Sequence, residues 1–151
     1  MEVTAELVKK YLGTDIEGLA EPTLSQLAAI AEVKTYNASE ILSHELDDSI
    51  NLMVVLSGQV DIQYMLPNGK RETVDSCCSG DLMGWSSIVP PHKTNSIDIC
   101  RSKAEVLAFN GEKLREICSK NTDFGFKMMS FIARVIRRRL QAAQKEIVHL
   151  R

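Results

Sequence analysis

The central part of the chain is a long succession of short segments in which apolar and polar residues alternate, with no helical segment between them. A period of two places successive side chains on opposite faces of a β-strand. Turn-forming residues separate the segments. The pattern predicts eight strands, at residues 33–36, 40–43, 52–57, 59–65, 71–75, 82–83, 96–102 and 105–109. Short, evenly spaced strands are typical of antiparallel rolls and barrels, and the missing crossover helices argue against a parallel α/β sheet.

Two turns within this region are predicted from glycine. Pro67-Asn68-Gly69 is the clearest hairpin signal, because Asn-Gly readily adopts the positive φ angles of a type I′ turn. It is expected to join the strands at residues 59–65 and 71–75. Gly58 is expected to form a sharp bend between the strands at residues 52–57 and 59–65.

Helical spacing replaces alternation before the roll. Residues 6–12 carry apolar side chains at helical spacing, and Gly13 is expected to end this helix. Thr23 and Gln26 match a capping box, which would open a second helix that continues to Ala31. The predicted organisation is one domain of 151 residues, with N-terminal helices at 4–32, a β-roll at 33–109 and C-terminal helices at 111–150.

The last helix is predicted from about residue 122 to the end, after a short helix capped by Asn110, and it carries two apolar stripes. The first stripe stops halfway and consists of Phe124, Met128, Phe131 and Val135. The second continues to the end and consists of Phe126, Met129, Ala133, Ile136, Leu140, Ala143, Ile147 and Leu150. We expect the first stripe to pack on the roll. The second repeats every three or four residues and is expected to pack against the same helix of a second copy, forming a homodimer.

A helix folded back on its own domain is the alternative to this dimer, and it would leave the end of the second stripe uncovered. Three consecutive arginines, at residues 137–139, lie between two residues of that stripe. Such a run invites a nucleic-acid or membrane interpretation. Because the formal net charge of the chain is −2, we interpret the run as a solvated helix face beside the dimer interface.

Residues 80–96 interrupt the strand pattern with two glycines, a proline pair and small polar side chains around the single tryptophan. Glycine lets a backbone turn tightly and lets another group approach its amides, as in anion-binding loops. No motif requires a cofactor, and these donors suit a nucleotide or another small anionic ligand. Trp85 is able to stack on such a ligand or to belong to the core. The predicted ligand-binding residues are Gly84, Trp85, Ser86, Ser87, Lys93, Thr94, Asn95 and Ser96.

Other kinds of site have little support in the sequence. The cysteines form no Cys-x-x-Cys pair and the histidines lie far apart, so no metal site is expected. The adjacent Cys77 and Cys78 are interpreted as reduced thiols, with a redox pair as the alternative. There is no G-x-S-x-G elbow, phosphate loop or paired carboxylate, so an enzyme is not expected. Without a signal peptide or a membrane-length apolar run, we expect a cytoplasmic protein.

Three segments of the chain carry a resemblance to a known family. They are the Val-Val-Leu-Ser-Gly-Gln-Val run at 54–60, the Gly-Asp-Leu-Met-Gly run at 80–84, and residues 105–109 followed by helices containing Arg-Arg-Arg-Leu at 137–140. Together they resemble the cyclic-nucleotide-binding domain of the catabolite-activator and Fnr-type regulators. The resemblance spans roughly residues 19–150. It implies a mainly β fold, a jelly-roll-like β-roll with flanking helices and a long C-terminal dimerisation helix.

Two residues depart from the family members that bind cyclic AMP or cyclic GMP. In those members the residue after Gly84 is Glu, which holds the ribose hydroxyl, and an Arg ten residues past that Gly pairs with the cyclic phosphate. This chain has Trp85 and Thr94 instead. Charge-assisted bonds supply much of the affinity for a phosphate, so we expect a ligand other than cyclic AMP or GMP. Arg138 or Arg139 could supply a replacement cation from the last helix.

These observations predict a homodimeric sensory or regulatory module in which a small ligand in the roll shifts the C-terminal helices. One alternative is a docking protein whose vestigial pocket is filled by its own side chains, and another is the effector domain of a transcription regulator. Regulators of the family continue into a helix-turn-helix, whereas this chain ends at Arg151 within the helical repeat, so direct DNA binding is not expected. The expected partners are a second copy, a small-molecule effector and a protein.

Overall fold

The computed structural model describes residues 2–151 and contains two antiparallel four-stranded sheets. The strands, in chain order, are β1 (Ala31–Tyr36), β2 (Ile41–Ser43), β3 (Asn51–Ser57), β4 (Val60–Met65), β5 (Arg71–Cys77), β6 (Leu82–Met83), β7 (Ile97–Cys100) and β8 (Ala104–Asn110). The first sheet has the order β1-β8-β3-β6 and the second has the order β2-β7-β4-β5. The predicted β-roll is therefore confirmed, with strand ends that differ from the prediction by a few residues.

Four helices flank the roll. They are α1 (Ala5–Leu12), α2 (Glu21–Ala29), α3 (Gly111–Lys120) and α4 (Thr122–His149). The side chains of Thr4, Asn110 and Asn121 accept hydrogen bonds from first-turn amides of α1, α3 and α4. The predicted cap at Asn110 and the predicted end of α1 at Gly13 are confirmed. Within residues 2–151, none of these helices has the length and apolarity that a membrane crossing needs.

The predicted capping box at Thr23 is wrong, and α2 begins at Glu21, three residues before the start that a cap at Thr23 would give it. Pro22 lies in its first turn, where a proline costs no helical hydrogen bond and its fixed φ suits the helix. Thr23 lies inside the helix with its side chain buried, and its hydroxyl accepts a hydrogen bond from Asn121 Nδ2 at 3.5 Å. The helix also ends before Ala31, which is the first residue of β1.

The predicted hairpin between β4 and β5 is confirmed, but its predicted type I′ turn is wrong. Gly69 has φ +83°, but Asn68 does not have the positive φ that a type I′ turn needs at both of its central residues. Gly69 N donates to Leu66 O at 2.9 Å, and Leu66 N donates to Lys70 O at 2.7 Å. This is the geometry of a three-residue hairpin loop that closes with a left-handed glycine.

The main core lies between the first sheet and the helices. The first stripe of α4 is buried, as predicted, and it shares one apolar cluster with both N-terminal helices and the sheet. Each large apolar side chain buried in this way contributes about 1.5–3 kcal/mol. Its members include Val8, Leu12, Leu24, Leu27, Leu52, Leu107, Phe109, Leu114, Phe124, Met128, Phe131 and Ile132. A smaller cluster between the sheets includes Val55, Val60, Cys77, Met83 and Val106.

The second stripe of α4 faces outward. Phe126 is 75% exposed, Leu140 56% and Ile147 54%, and Ala133, Ala143 and Leu150 are exposed as well. Ile136 is the exception, because it is half-buried and packs against the main core. In the single chain, the apolar surface of the second half of α4 therefore lies open to solvent.

Substituting Gly58 and Gly69 separately by alanine should distinguish steric clash from backbone strain. Both glycines have positive φ, so each substitution costs about 1–2 kcal/mol from the left-handed conformation alone. A Cβ at Gly58 would also lie 2.2 Å from Lys103 O, whereas a Cβ at Gly69 would meet no atom within 4 Å. We expect Gly58→Ala to lower the free energy of unfolding by at least about 2 kcal/mol more than Gly69→Ala in urea titrations. Equal losses would contradict the close approach of the backbone at Gly58.

Candidate ligand-binding site

The predicted site loop, residues 80–96, turns sharply at Gly84. This residue has φ +72°, and a Cβ on it would lie 2.3 Å from Asn51 O in the neighbouring strand β3. A 3-10 turn (Trp85–Ser87) follows directly. The hydroxyl of Ser87 donates to Gly84 O at 2.7 Å and fixes the turn. Only glycine satisfies both the conformation and the close approach at this position.

Six of the eight predicted ligand-binding residues line one small internal cavity of about 20 Å³, which we call the inner cavity. They are Gly84, Trp85, Ser86, Thr94, Asn95 and Ser96. The cavity is completed by Ser49, Ile62, Met83, Asp98 and Arg139. Its volume is that of about one water molecule.

The other two predicted residues lie outside the inner cavity. Ser87 is completely buried, and its carbonyl accepts a hydrogen bond from Arg115 Nη1 of α3. Lys93 is exposed and its ammonium pairs with the carboxylate of Asp48. The structure therefore directs Lys93 away from the cavity, and this cation is already paired.

The segment at residues 44–49, which we call the strap, is bonded to the site loop through Thr94 and its neighbours. The Thr94 hydroxyl donates to His44 O and, at 3.3 Å, to Asp47 O. Thr94 N donates to Asp47 O at 2.9 Å, and Ser49 N donates to His92 O at 2.9 Å. The Thr94 donors are consequently used within the protein rather than directed into the inner cavity.

Asp98 gives the inner cavity a buried carboxylate. Its residue is 7% exposed, and its two oxygens accept hydrogen bonds from Ser43 Oγ (3.0 Å) and Ser96 Oγ (2.9 Å). Burial raises the pKa of Asp98, while the two serine hydrogen bonds and the charge of Arg139 act in the opposite direction. Because Asp98 falls in an alternating strand pattern like any other polar residue, the sequence carried no signal for this burial.

Arg139 extends from α4 toward the roll, and its guanidinium is the only one that lines the inner cavity. Its Nη2 donates to Leu82 O at 3.1 Å and to Cys77 Sγ at 3.4 Å, and its Nε lies 3.3 Å from Asp75 Oδ2. The interpretation of residues 137–139 as a solvated face is therefore wrong for Arg139, although Arg137 and Arg138 are exposed. Arg139 follows Val135 by one helical turn, so it projects from the buried side of α4.

The guanidinium of Arg139 also borders a second space, an open groove of about 240 Å³ between α4 and the end of β5, which we call the outer groove. Asp75, Asp81 and Leu82 line it from the roll, and Val135, Arg138 and Ala142 line it from α4. Arg139 thus stands between the inner cavity and the outer groove. A larger groove, of about 490 Å³, lies between α2 and α3 and shares no lining residue with either.

The two adjacent cysteines have different environments. Cys77 ends β5 with its thiol buried in the smaller core cluster, whereas Cys78 is exposed. Burial raises the pKa of the Cys77 thiol to about 12, despite the opposing charge of Arg139. Residues 2–151 contain no group of three His, Cys, Asp or Glu side chains arranged to hold a metal ion.

The sequence model of the family described as "Cyclic nucleotide-binding domain" matches residues 33–121. The chain is similar to a Geobacter metallireducens protein described as cyclic nucleotide-binding, with a TM-score of 0.80 and 27% identity over 91% of this chain and 98% of that one. No curated protein matches the sequence.

Two longer chains, both of regulators, share the fold at lower identity. The catabolite activator protein of Thermus thermophilus has a TM-score of 0.72 and 20% identity, over 89% of this chain and 62% of that one. The c-di-GMP responsive global regulator CLP of Xanthomonas campestris has a TM-score of 0.74 and 16% identity, over 87% of this chain and 64% of that one. This chain therefore spans somewhat less than two thirds of the length of each regulator.

Alkylation with iodoacetamide at about pH 8 should separate Cys77 from Cys78, because the thiolate is the reactive form. We expect Cys78 to be modified in the native protein and Cys77 only after unfolding, since Cys77 is buried and its pKa is raised to about 12. Peptide mass spectrometry would assign the modified residue, with Cys78→Ser as the control that removes the fast reaction. Native modification of Cys77 at the rate of Cys78 would contradict the burial and would favour a redox pair.

Proposed function

The chain belongs to the cyclic nucleotide-binding domain family, and from this premise we propose that it is a homodimeric regulatory module that responds to a small ligand other than cyclic AMP or cyclic GMP. Domains of this family are regulatory rather than catalytic. The proposed signal passes from the site loop through Arg139 to α4. A ligand that favours one arrangement of α4 over another would shift the population of the two.

The observation that carries the proposal is that the Thr94 hydroxyl hydrogen-bonds to the backbone of the strap. Thr94 occupies the position at which family members that bind cyclic AMP or cyclic GMP have the phosphate-binding Arg. Trp85 occupies the position of the ribose-binding Glu and packs against the main core. Neither side chain therefore offers the charge that a cyclic nucleotide requires.

The size and charge of the inner cavity support the same proposal. Its volume of about 20 Å³ is far below the roughly 300 Å³ of the smallest ordinary ligand pockets. Asp98 adds a buried carboxylate to the lining, which opposes the approach of a cyclic phosphate. A cyclic nucleotide would need both a larger space and a different charge.

The proposed homodimer rests on the second stripe of α4. Exposed apolar side chains recur along it with alternating spacings of three and four residues, which is the repeat that a pair of helices buries. A continuous apolar surface of this kind is unusual on a monomer and is typical of an interface. Since the first stripe is already occupied by the core, the second stripe is available for a second copy.

Docking of another protein, with the pocket filled by the chain's own side chains, is a second candidate function. The packing of Trp85 against the main core favours it, because this side chain takes up space beside the site. Calorimetry against a panel of nucleotides and metabolites distinguishes the two candidates. Heat from a saturable ligand supports the sensory module, and a stable co-purifying protein without any ligand response supports docking.

The homodimer predicts that Leu140→Glu/Ile147→Glu is monomeric while the native chain is a dimer. Each substitution removes an apolar contact worth roughly 2 kcal/mol per copy, so the dissociation constant should rise by more than about 100-fold. Gln141→Glu/Val148→Glu is the matched control, because it moves the same two charges one residue along the helix to the side away from the second stripe.

Sedimentation equilibrium would give the masses to compare with the 16.8 kDa of one chain. We expect the control to remain dimeric. A monomeric native protein at high concentration, or equal dissociation of the two double variants, would contradict an interface along the second stripe.

Calorimetry should detect no binding of cyclic AMP or cyclic GMP to the native protein up to about 1 mM, which corresponds to an affinity weaker than about −4 kcal/mol. Trp85→Glu/Thr94→Arg introduces the carboxylate and the guanidinium that family members use to bind cyclic AMP, and it is expected to gain affinity for cyclic AMP. Micromolar binding by the native protein would overturn the proposal. If both proteins are silent, the small volume of the inner cavity rather than the two replaced side chains prevents binding.

A further inference from the structure

Arg139 is held in a set of groups that all accept hydrogen bonds. The carbonyl of Leu82, the carboxylate of Asp75 and the sulfur of Cys77 surround its guanidinium, at 3.1, 3.3 and 3.4 Å respectively. We call these three acceptors the Arg139 cradle. Its chemistry suits a group that donates several hydrogen bonds and carries positive charge, and the side chain of Arg139 itself demonstrates the fit.

Removal of Arg139 from the cradle would join the inner cavity to the outer groove, because this side chain borders both. The joined space would be lined by the carboxylates of Asp75, Asp81 and Asp98. Arg138 would be the one other cation on its lining, and Arg138 is exposed at the outer rim. Lys93 would not compensate, since it belongs to neither lining and pairs with Asp48.

A ligand that displaces Arg139 must therefore supply what the guanidinium supplied. Without a replacement, the carbonyl of the buried Leu82 loses its donor and the buried carboxylate of Asp98 loses the charge of Arg139, whereas the side chain of Asp75 is 46% exposed and turns to water. Leaving buried acceptors and charges without partners is strongly unfavourable. An anionic ligand would add a like charge beside the buried Asp98 carboxylate, and a neutral one would leave that carboxylate without a positive charge beside it.

We propose that this site takes a small organic cation, a guanidinium or primary ammonium compound, that displaces the Arg139 side chain from its cradle and occupies the joined space. This proposal rests on the proposed function, of which it names the ligand class. It reverses the charge preference expected of a phosphate-binding loop. Three features favour a cation over a phosphate: the buried carboxylate of Asp98, the hydrogen-bond acceptors of the Arg139 cradle, and the Thr94 hydroxyl, which donates to the strap.

Displacement of Arg139 would also free α4. In the described chain, Arg139 is the last residue of α4 that makes a hydrogen bond to the roll, and the residues after it are exposed. The first half of α4 would stay fixed by Phe131 and Val135 in the main core. The cation would thus change only the attachment of the second half, which carries the proposed dimer interface.

Butylguanidinium, which carries the guanidinium of arginine on a chain one carbon longer than the arginine side chain, is the probe that tests this proposal. Butylurea is its neutral counterpart of nearly the same shape, and butyrate is a shorter aliphatic anion. Binding is measured by calorimetry and by the fluorescence of Trp85, the only tryptophan, which lines the inner cavity. We expect saturable binding of butylguanidinium to the native protein and none of butylurea or butyrate.

Variants at the cradle sharpen the test. Arg139→Ala should bind butylguanidinium at least about tenfold more tightly than the native protein, because no side chain has to be displaced. Asp98→Asn and Asp75→Asn should each weaken binding several-fold. Arg139→Lys keeps a cation in the cradle and should bind no more tightly than the native protein. If Arg139→Ala does not fold, Arg139→Gln replaces it, with tighter binding than Arg139→Lys expected.

Equal binding of butylurea and butylguanidinium, preference for butyrate, or no binding by either the native protein or the opened variant would each overturn the cation site. These outcomes are distinguishable from failure of the proposed function. That function fails if the native protein binds cyclic AMP or GMP, or if the second stripe makes no dimer, and neither result depends on butylguanidinium.

Discussion

The burial of one face of α4 is the constraint on which the other features depend. Phe131 and Val135 are fixed in the main core, so the rotation of the helix about its axis is fixed as well. At about 100° per residue, Arg139 must then project toward the roll, and the second stripe must project away from it. The occupied cradle and the open apolar surface are thus two consequences of one packing arrangement, and a rotation of the helix would alter both together.

Local sequence patterns were sufficient to predict most helices and strands, because the alternation of apolar residues, glycine turns and Asn caps each act over a few residues. The errors arose where a distant residue or a neighbouring ring decides the outcome. Thr23 matches a cap in sequence, but Pro22 starts the helix earlier and Asn121 gives the Thr23 hydroxyl another partner. Asn68 and Gly69 match a type I′ turn, but the Gly69 N to Leu66 O hydrogen bond places Pro67 at the first central position, where its fixed negative φ suits a type I turn.

In the candidate site, too, local patterns predicted some features correctly, and distant residues decided the others. Six of its predicted residues line one cavity because they follow one another along a single loop. Lys93 was misplaced because its partner, Asp48, lies on the strap, and no local pattern connects the two segments. Asp98 and Arg139 come from a strand and from the last helix, and only the tertiary fold brings them together.

The free second half of α4 has a mechanical consequence. From Arg139 to His149 the helix extends about 15 Å, at 1.5 Å per residue, beyond its last hydrogen bond to the roll. A tilt of this segment by about 10° about Arg139 would carry its tip through about 3 Å. Helix displacements of about 1–2 Å are enough to rearrange a subunit interface. In the proposed dimer, a change the size of one guanidinium group would thus become a movement large enough to reach the second chain.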